Sequence, residues 1–271
     1  MMKRIARPAI DAELAREHAE RSTEMLEAIL PRARRDAQAL DELVNWSWIG
    51  AGAYAAVAPE SPAIGRALRI GAGASAAIFA LATGSGEIDV PLGDDAPARL
   101  NATGPTAASH AANWRHGFYM ALLAADDDAA STLTQVPIDV LRQSSTRGDD
   151  CVYLFVEALQ AWHRRDAAVA ERLHLAVQAT EPARLTRSPE EFVLNVLVPE
   201  MELLHRLLDG AIAPFNETLG FAVERHRKYW TKGDRKRDPR GFLALGPSVF
   251  TAAARRAGMP IDIESDYLLH G

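Results

Sequence analysis

Cysteine is almost absent: the chain has one, Cys151, so no disulfide can close within it and a reducing compartment is the natural reading. Followed by Val-Tyr-Leu-Phe-Val, that thiol reads as a buried side chain rather than an activated nucleophile. Long apolar runs are missing too. The longest, Ile70 to Ala82, is rich in Gly and Ala and too short to span a bilayer as a helix, so no membrane partner is expected. The opening Met-Met-Lys-Arg-Ile-Ala-Arg-Pro leads straight into Asp11, Glu13 and Glu17 without an apolar segment, unlike a secretory signal. A cytoplasmic location is the expectation. Catalytic signatures are also lacking: there is no Gly-x-Ser-x-Gly elbow, His-Glu-x-x-His helix, Rossmann glycine pattern or Cys-x-x-Cys knuckle. Gly71-Ala72-Gly73 has neither the preceding strand nor the following Gly-Lys-Ser/Thr of a phosphate loop.

What is present is the composition of a folded, helix-rich protein. Of 271 residues, 48% are hydrophobic and 24% charged, which argues against wholesale disorder. Alanine is abundant while Val, Ile and Phe are modest, favouring closely packed helices over sheets. Nothing forces a boundary, so residues 1–271 are read as a single helical domain. The net charge of −6 disfavours general nucleic-acid binding and is compatible with a basic partner.

Helical spacing recurs along the chain. It covers Ile10 to Leu30, where Pro31 would stop or kink the helix, and Arg34 to Val57. Residues 63–82 place small side chains almost all round, marking a central, tightly surrounded helix in which Gly71 and Gly73 need close backbone packing. Around 86–101 the pattern turns to alternating Ile88, Val90 and Leu92, then Gly93-Asp94-Asp95 and a second arm, reading as a small β-hairpin or extended excursion. Helices resume over Thr106 to Ala125, Cys151 to Arg165 behind Asp149-Asp150, 167–179 behind Asp166, from Ser188-Pro189 to about Leu208 with a bend at Pro199, and Pro214 to Tyr229. Short connections imply a mostly α antiparallel bundle or solenoid-like array of about eight to ten helices, closed by a short extended C-terminal tail.

Two constellations invite a chemical reading. Glu171 with His174, and Glu202 with His205, each place a carboxylate and an imidazole on one helical face, the shape of half a di-iron site. A helical metal-dependent oxidase or hydrolase built on these four is the alternative function. The bundle form of that site needs a carboxylate-bearing helix between the paired motifs, and the roughly thirty residues separating them leave no room for it. No metal or other cofactor is therefore expected. Glu224 to Arg240 holds eight Lys/Arg against three acids. With Tyr229 and Trp230 this strip could grip phosphate, but it reads better as the positive end of a helix followed by a solvated loop.

The most distinctive stretch is carboxy-terminal. Lys228-Tyr229-Trp230, Asp234-Arg235, Asp238-Pro239 with Gly241, Ala244-Leu245-Gly246-Pro247, and Gly258-Met259-Pro260 through Ile261-Asp262-Ile263-Glu264-Ser265-Asp266 to Tyr267-Leu268 occur in that order. Upstream stand Ala102-Thr103-Gly104-Pro105, Asn113-Trp114, Val136-Pro137, and Tyr153 through Ala158-Leu159-Gln160 to Trp162. Together, over roughly residues 100–268, these resemble the immunity protein 49 family of bacterial polymorphic toxin systems. The chain departs from the family pattern at Leu269, where a proline is expected, and near Arg256, where an acid is expected. The resemblance implies a cytoplasmic, mostly helical protein that is not an enzyme. Such a protein is expected to bind a cognate toxin, often one delivered by a contact-dependent or type VI-like route, and to neutralise it stoichiometrically, protecting the cell and its kin. If that toxin is a basic nuclease, acids would steer association and mimic phosphates, with Asp149, Asp150, Asp262, Glu264 and Asp266 as candidate contacts. Each of the five has a structural alternative as a helix cap or a tail-anchoring ion pair. The motif residues Trp230, Asp238, Gly241, Gly246, Pro247, Gly258, Pro260 and Tyr267 read as structural: Gly246-Pro247 opens the last helix and Gly258 closes it. Nothing in the sequence fixes an oligomeric state.

Overall fold

A computed structural model describes residues 2–93 and 96–269. Its helices are α1 (Ala12–Ala33), α2 (Leu40–Val57), α3 (Pro62–Thr83), α4 (Ala111–Ala124), α5 (Asp127–Thr134), α6 (Ile138–Gln143), α7 (Asp150–His163), α8 (Val169–Gln178), α9 (residues 190–209), α10 (Ile212–Trp230) and α11 (Leu245–Arg256). Four short strands complete it: β1 (Lys3–Ile5), β2 (Glu87–Val90), β3 (Ala98–Asn101) and β4 (Ile263–Ser265). Helix accounts for 68% of the protein, in 11 helices among the described residues, slightly more than connection lengths suggest because residues 126–143 divide into two short ones.

Local chemistry explains the boundaries. Asp11 caps α1 by accepting from the Glu13 and Leu14 amides, each at 3.1 Å. Its buried side, Ala15, Ala19, Ser22, Leu26, Ile29 and Ala33, follows the alternating four- and three-residue step of an amphipathic helix. Pro31 does not end it: in the last turn the missing amide forfeits one bond, and the helix runs on to Ala33. Just before Pro199, where a bend is expected, the helix widens into a π turn over Val193–Leu197. The wider turn makes room where the proline ring would otherwise press on a carbonyl in the preceding turn. Helix α4 begins later than periodicity suggests, at Ala111, because residues 106–109 fold into a turn in which Ser109 Oγ accepts from the Thr106 amide at 2.8 Å.

Helix α3 lies at the centre, packed mainly on α2, α4 and α5. It is long and apolar enough to cross a membrane by length and composition, but the qualifying window is 72% buried inside the protein, which marks a core helix. A side chain at Gly71 would lie 2.5 Å from Met120 Sδ and 2.7 Å from Ser47 Cβ, so its absence permits the close approach of α2 and α4. Buried apolar side chains from every helix and strand join one cluster.

The hairpin forms as expected, β2 pairing antiparallel with β3 so that Ile88 faces Leu100 and Val90 faces Ala98. Asp94 and Asp95 of its expected turn lie outside the described residues. The tail is extended as expected, but its partner is a surprise: β4 pairs in parallel with β1, Lys3 opposite Ile263 and Ile5 opposite Ser265. Three residues are too few to carry a readable alternation.

Candidate functional site

The four residues of the metal alternative do not converge. Glu171, His174, Glu202 and His205 are all exposed. His174 contacts Gln178, 2.8 Å away, and His205 pairs with Asp209 at 3.4 Å, each within its own helix. Among the described residues no group of three or more His, Cys, Asp and Glu could hold a metal ion. The Cys151 thiol is buried, and burial pushes its pKa up to about 11, far from an activated thiolate.

The carboxylate that does enter the core is Glu200, two residues before Glu202 and on the opposite side of α9. With side chains only 4% and 6% exposed, Arg115 and Glu200 form a buried ion pair of 3.2 Å. The Tyr119 hydroxyl donates to the same Glu200 oxygen at 2.9 Å. Burial raises the Glu200 pKa against the pull of Arg115 and Tyr119, and raises that of Tyr119 well above its usual value. Arg115 also donates to His116 Nε2 at 3.4 Å, and the His116 ring lies 4.0 Å from that of Trp48. Burial, with Arg115 nearby, holds the His116 pKa well below its ordinary value, so the ring is neutral. Nothing in the local pattern singles out Arg115 or Glu200, because each sits at a helical position that would ordinarily hold an apolar side chain.

The motif residues meet around these groups and around the chain closure. A Cβ on Gly246 would lie 2.7 Å from Glu200 Cγ, so this glycine makes room for the buried carboxylate. Pro247 is in the first turn of α11, where no intrahelical amide bond is needed, and its carbonyl accepts from Thr251 Oγ1 at 2.7 Å. Gly258, at φ 78°, ends that helix with its amide on the Arg255 carbonyl. Gly241 lies against the face of Trp230, where a Cβ would come within 2.5 Å of Cε3. Asp238 caps its own turn through the Arg240 amide at 3.0 Å and holds the Arg240 guanidinium at 2.6 Å. Buried His226 donates Nε2–H to the Gly241 carbonyl at 2.9 Å; burial lowers its pKa to about 4. Tyr267 packs edge-on against His226, and its carbonyl accepts from the Ala244 amide at 2.9 Å. The Pro260 carbonyl accepts from Asn216 at 2.9 Å. Arg7 completes the closure, donating to the carbonyls of Phe242 and Asp266 while its amide bonds the Asp266 carboxylate at 3.0 Å.

The five candidate contact acids fall into two places. Asp149 stands at the start of α7 yet does not cap it. Its buried carboxylate turns to the 186–188 loop, accepting from the amides of Thr186, Arg187 and Ser188 and from the Thr186 hydroxyl. These donors hold its pKa far below the usual carboxylate range despite burial. Asp150 is exposed and pairs with Arg142 at 2.8 Å. In the tail, Asp262 and Glu264 are exposed, and Arg4 lies 3.9 Å from Glu264 and 3.7 Å from Asp266. The basic strip is partly neutralised: Lys232 and Arg235 both bind Glu191, at 2.9 and 3.0 Å.

A cleft of ≈ 640 Å³ opens at the start of α7, bordered by the end of α8 and the loops on either side. Arg142, Arg147, Arg184 and Arg187 surround it, and Tyr153, Leu154 and Leu175 give it an apolar side. Sequence reading missed it because its arginines are scattered over forty-odd residues with no fixed spacing.

A family model described as Immunity protein 49 matches residues 55–268, starting well upstream of the motifs quoted above. No curated protein and no solved structure matches the chain at a significant level.

Proposed function

The chain belongs to the immunity protein 49 family, and from that premise we propose that it binds a cognate bacterial toxin stoichiometrically in the cytoplasm of the producing cell and so neutralises it. The observation that carries the reading is the length of the match, residues 55–268, which takes in α3 to α11, the buried ion pair and the C-terminal strand β4. Arg115, Glu200, Tyr119, Asp149 and His226 bond to one another or to backbone, which stabilises the scaffold. Of the candidate acids, Asp150 is engaged by Arg142, while the exposed Asp262 and the Glu264 carboxylate, 3.9 Å from Arg4, remain for a partner, and the charge of −6 would speed association with a basic toxin. Asp149 and Asp266 serve the fold first.

The test is co-expression with the toxin encoded beside the gene. Growth is expected to be restored, and the two proteins to co-purify as a one-to-one complex. No rescue together with no complex ends the reading for that pair.

A further inference from the structure

The cleft at the start of α7 carries an inference that rests on the binding function but goes beyond it. Its four arginines are unequal. Arg142 is held in place by Asp150 at 2.8 Å and by the Tyr153 ring, whose centroid lies 4.4 Å from its guanidinium. Arg184 pairs with Glu181 at 3.3 Å. The exposed side chains of Arg147 and Arg187 have no ion-pair or hydrogen-bond partner among the described residues. The two acids lining the cleft do not answer them, because Asp149 is engaged by the 186–188 amides and Asp150 by Arg142. A protein of net charge −6 thus presents a concave site with two uncompensated cations beside an apolar wall that includes Leu175, 43% exposed.

We propose that this cleft receives an acidic segment of the partner toxin, its carboxylates pairing with Arg147 and Arg187 and an apolar side chain lying on Leu154 and Leu175. The bidentate fork of arginine suits carboxylates. A phosphate would suit the site less well. The three consecutive amides that could cradle one, at residues 186–188, are already occupied by the Asp149 carboxylate. The apolar wall suits a segment that interleaves carboxylates with an apolar side chain better than a continuously charged nucleic-acid backbone. Anchoring by Asp149 also fixes the backbone of the loop that carries Arg187 beside the cleft before the partner arrives.

The probe is a fluorescein-labelled peptide, Glu-Glu-Leu-Glu-Asp-Leu-Glu-Glu, titrated onto the full chain and read by fluorescence anisotropy. Its binding is expected to weaken as salt rises. The double substitution Arg147→Glu with Arg187→Glu is expected to weaken it on the order of 100-fold, with the unfolding midpoint unchanged. Arg147→Lys with Arg187→Lys retains most of the binding, and Lys236→Glu with Arg237→Glu, on a separate loop, has little effect. The proposal is overturned if the peptide does not bind at low salt, or if charge reversal leaves its affinity intact. It is equally overturned if inorganic phosphate or a short DNA duplex binds the cleft in its place, or if charge reversal abolishes self-association of the chain, which would assign the cleft to a second copy. Co-purification with the adjacent-gene toxin separates the two readings. A wild-type chain that ignores the toxin defeats the immunity reading for that pair and leaves the peptide to judge the cleft. A wild-type chain that binds the toxin no better than the doubly reversed variant defeats the cleft alone.

Discussion

Substituting His226 by Gln isolates one buried proton and its effect on stability. In the folded chain the imidazole is neutral, with a pKa lowered to about 4 from 6.5, chiefly because burial penalises the cation. The unfolded chain therefore binds the extra proton in the window between those values, and stability falls as pH is lowered through it. At about pH 4.5 the unfolded imidazole is almost wholly protonated while the folded one is still mostly neutral, a difference of about 2.5 kcal/mol relative to neutral pH. Below the folded value the contribution levels off. Gln can still donate to the Gly241 carbonyl but cannot take up a proton. At neutral pH the variant is expected to be less stable by about 1 kcal/mol, for loss of the ring packing on Tyr267 and Trp230. On moving to about pH 4.5 it is expected to lose about 2.5 kcal/mol less than the wild type. Urea unfolding at both pH values, followed by tryptophan fluorescence and circular dichroism, measures the difference. His116 and the carboxylates titrate in both proteins and cancel. Parallel pH dependences in the two proteins would refute the assignment of a neutral, buried His226.

Three further perturbations probe the motif glycines and the buried charges. Gly241→Ala puts a methyl group within 2.5 Å of a Trp230 ring atom and is expected to cost about 2 kcal/mol, seen as a lowered urea midpoint; an unchanged midpoint would show that the indole can move aside. Glu200→Gln leaves Arg115 charged and buried without its counter-ion, an expected loss of about 3 to 5 kcal/mol, while the double substitution Arg115→Met with Glu200→Gln recovers much of it; equal losses in single and double variants would mean that the pair is not coupled. Asp149→Asn removes the charge that gathers the 186–188 amides, and hydrogen exchange at those three amides is expected to accelerate at least about 10-fold; unchanged protection would place the hold on that loop elsewhere.

The helical body was legible because its signal is local. The spacing in Ala12–Ala33 and in Asp150–His163 appears again as buried stripes, since each helix buries whatever apolar side its own sequence presents. The hairpin was legible for the same reason, its alternation lying within one short segment. What could not be read depends on partners distant in sequence. β1 needs β4, the Asp149 carboxylate needs amides 37 to 39 residues away, and Glu200 needs Arg115 and Tyr119, 85 and 81 residues away. Adjacent Glu-x-x-His spacing drew attention to Glu202, whereas burial selected Glu200, two residues earlier and on the opposite side of the helix. The C-terminal motif was recognisable as a pattern, but the reason for its glycines became visible only with Trp230 and Glu200 in place beside them.

The parallel pairing of β1 with β4 has a mechanical consequence. When a chain is pulled from its two ends, an antiparallel hairpin unzips one bond at a time, but the β1–β4 pair is loaded in shear. Its backbone hydrogen bonds and the Arg7 bonds to Phe242 and Asp266 stretch together and yield together. Force applied at the ends, as by an unfoldase that threads the chain or by optical tweezers, therefore meets its first resistance at this short closure, before any helix is reached. Arg7→Ala, which removes the side-chain bonds and spares the strands, is the change that would lower that first rupture force.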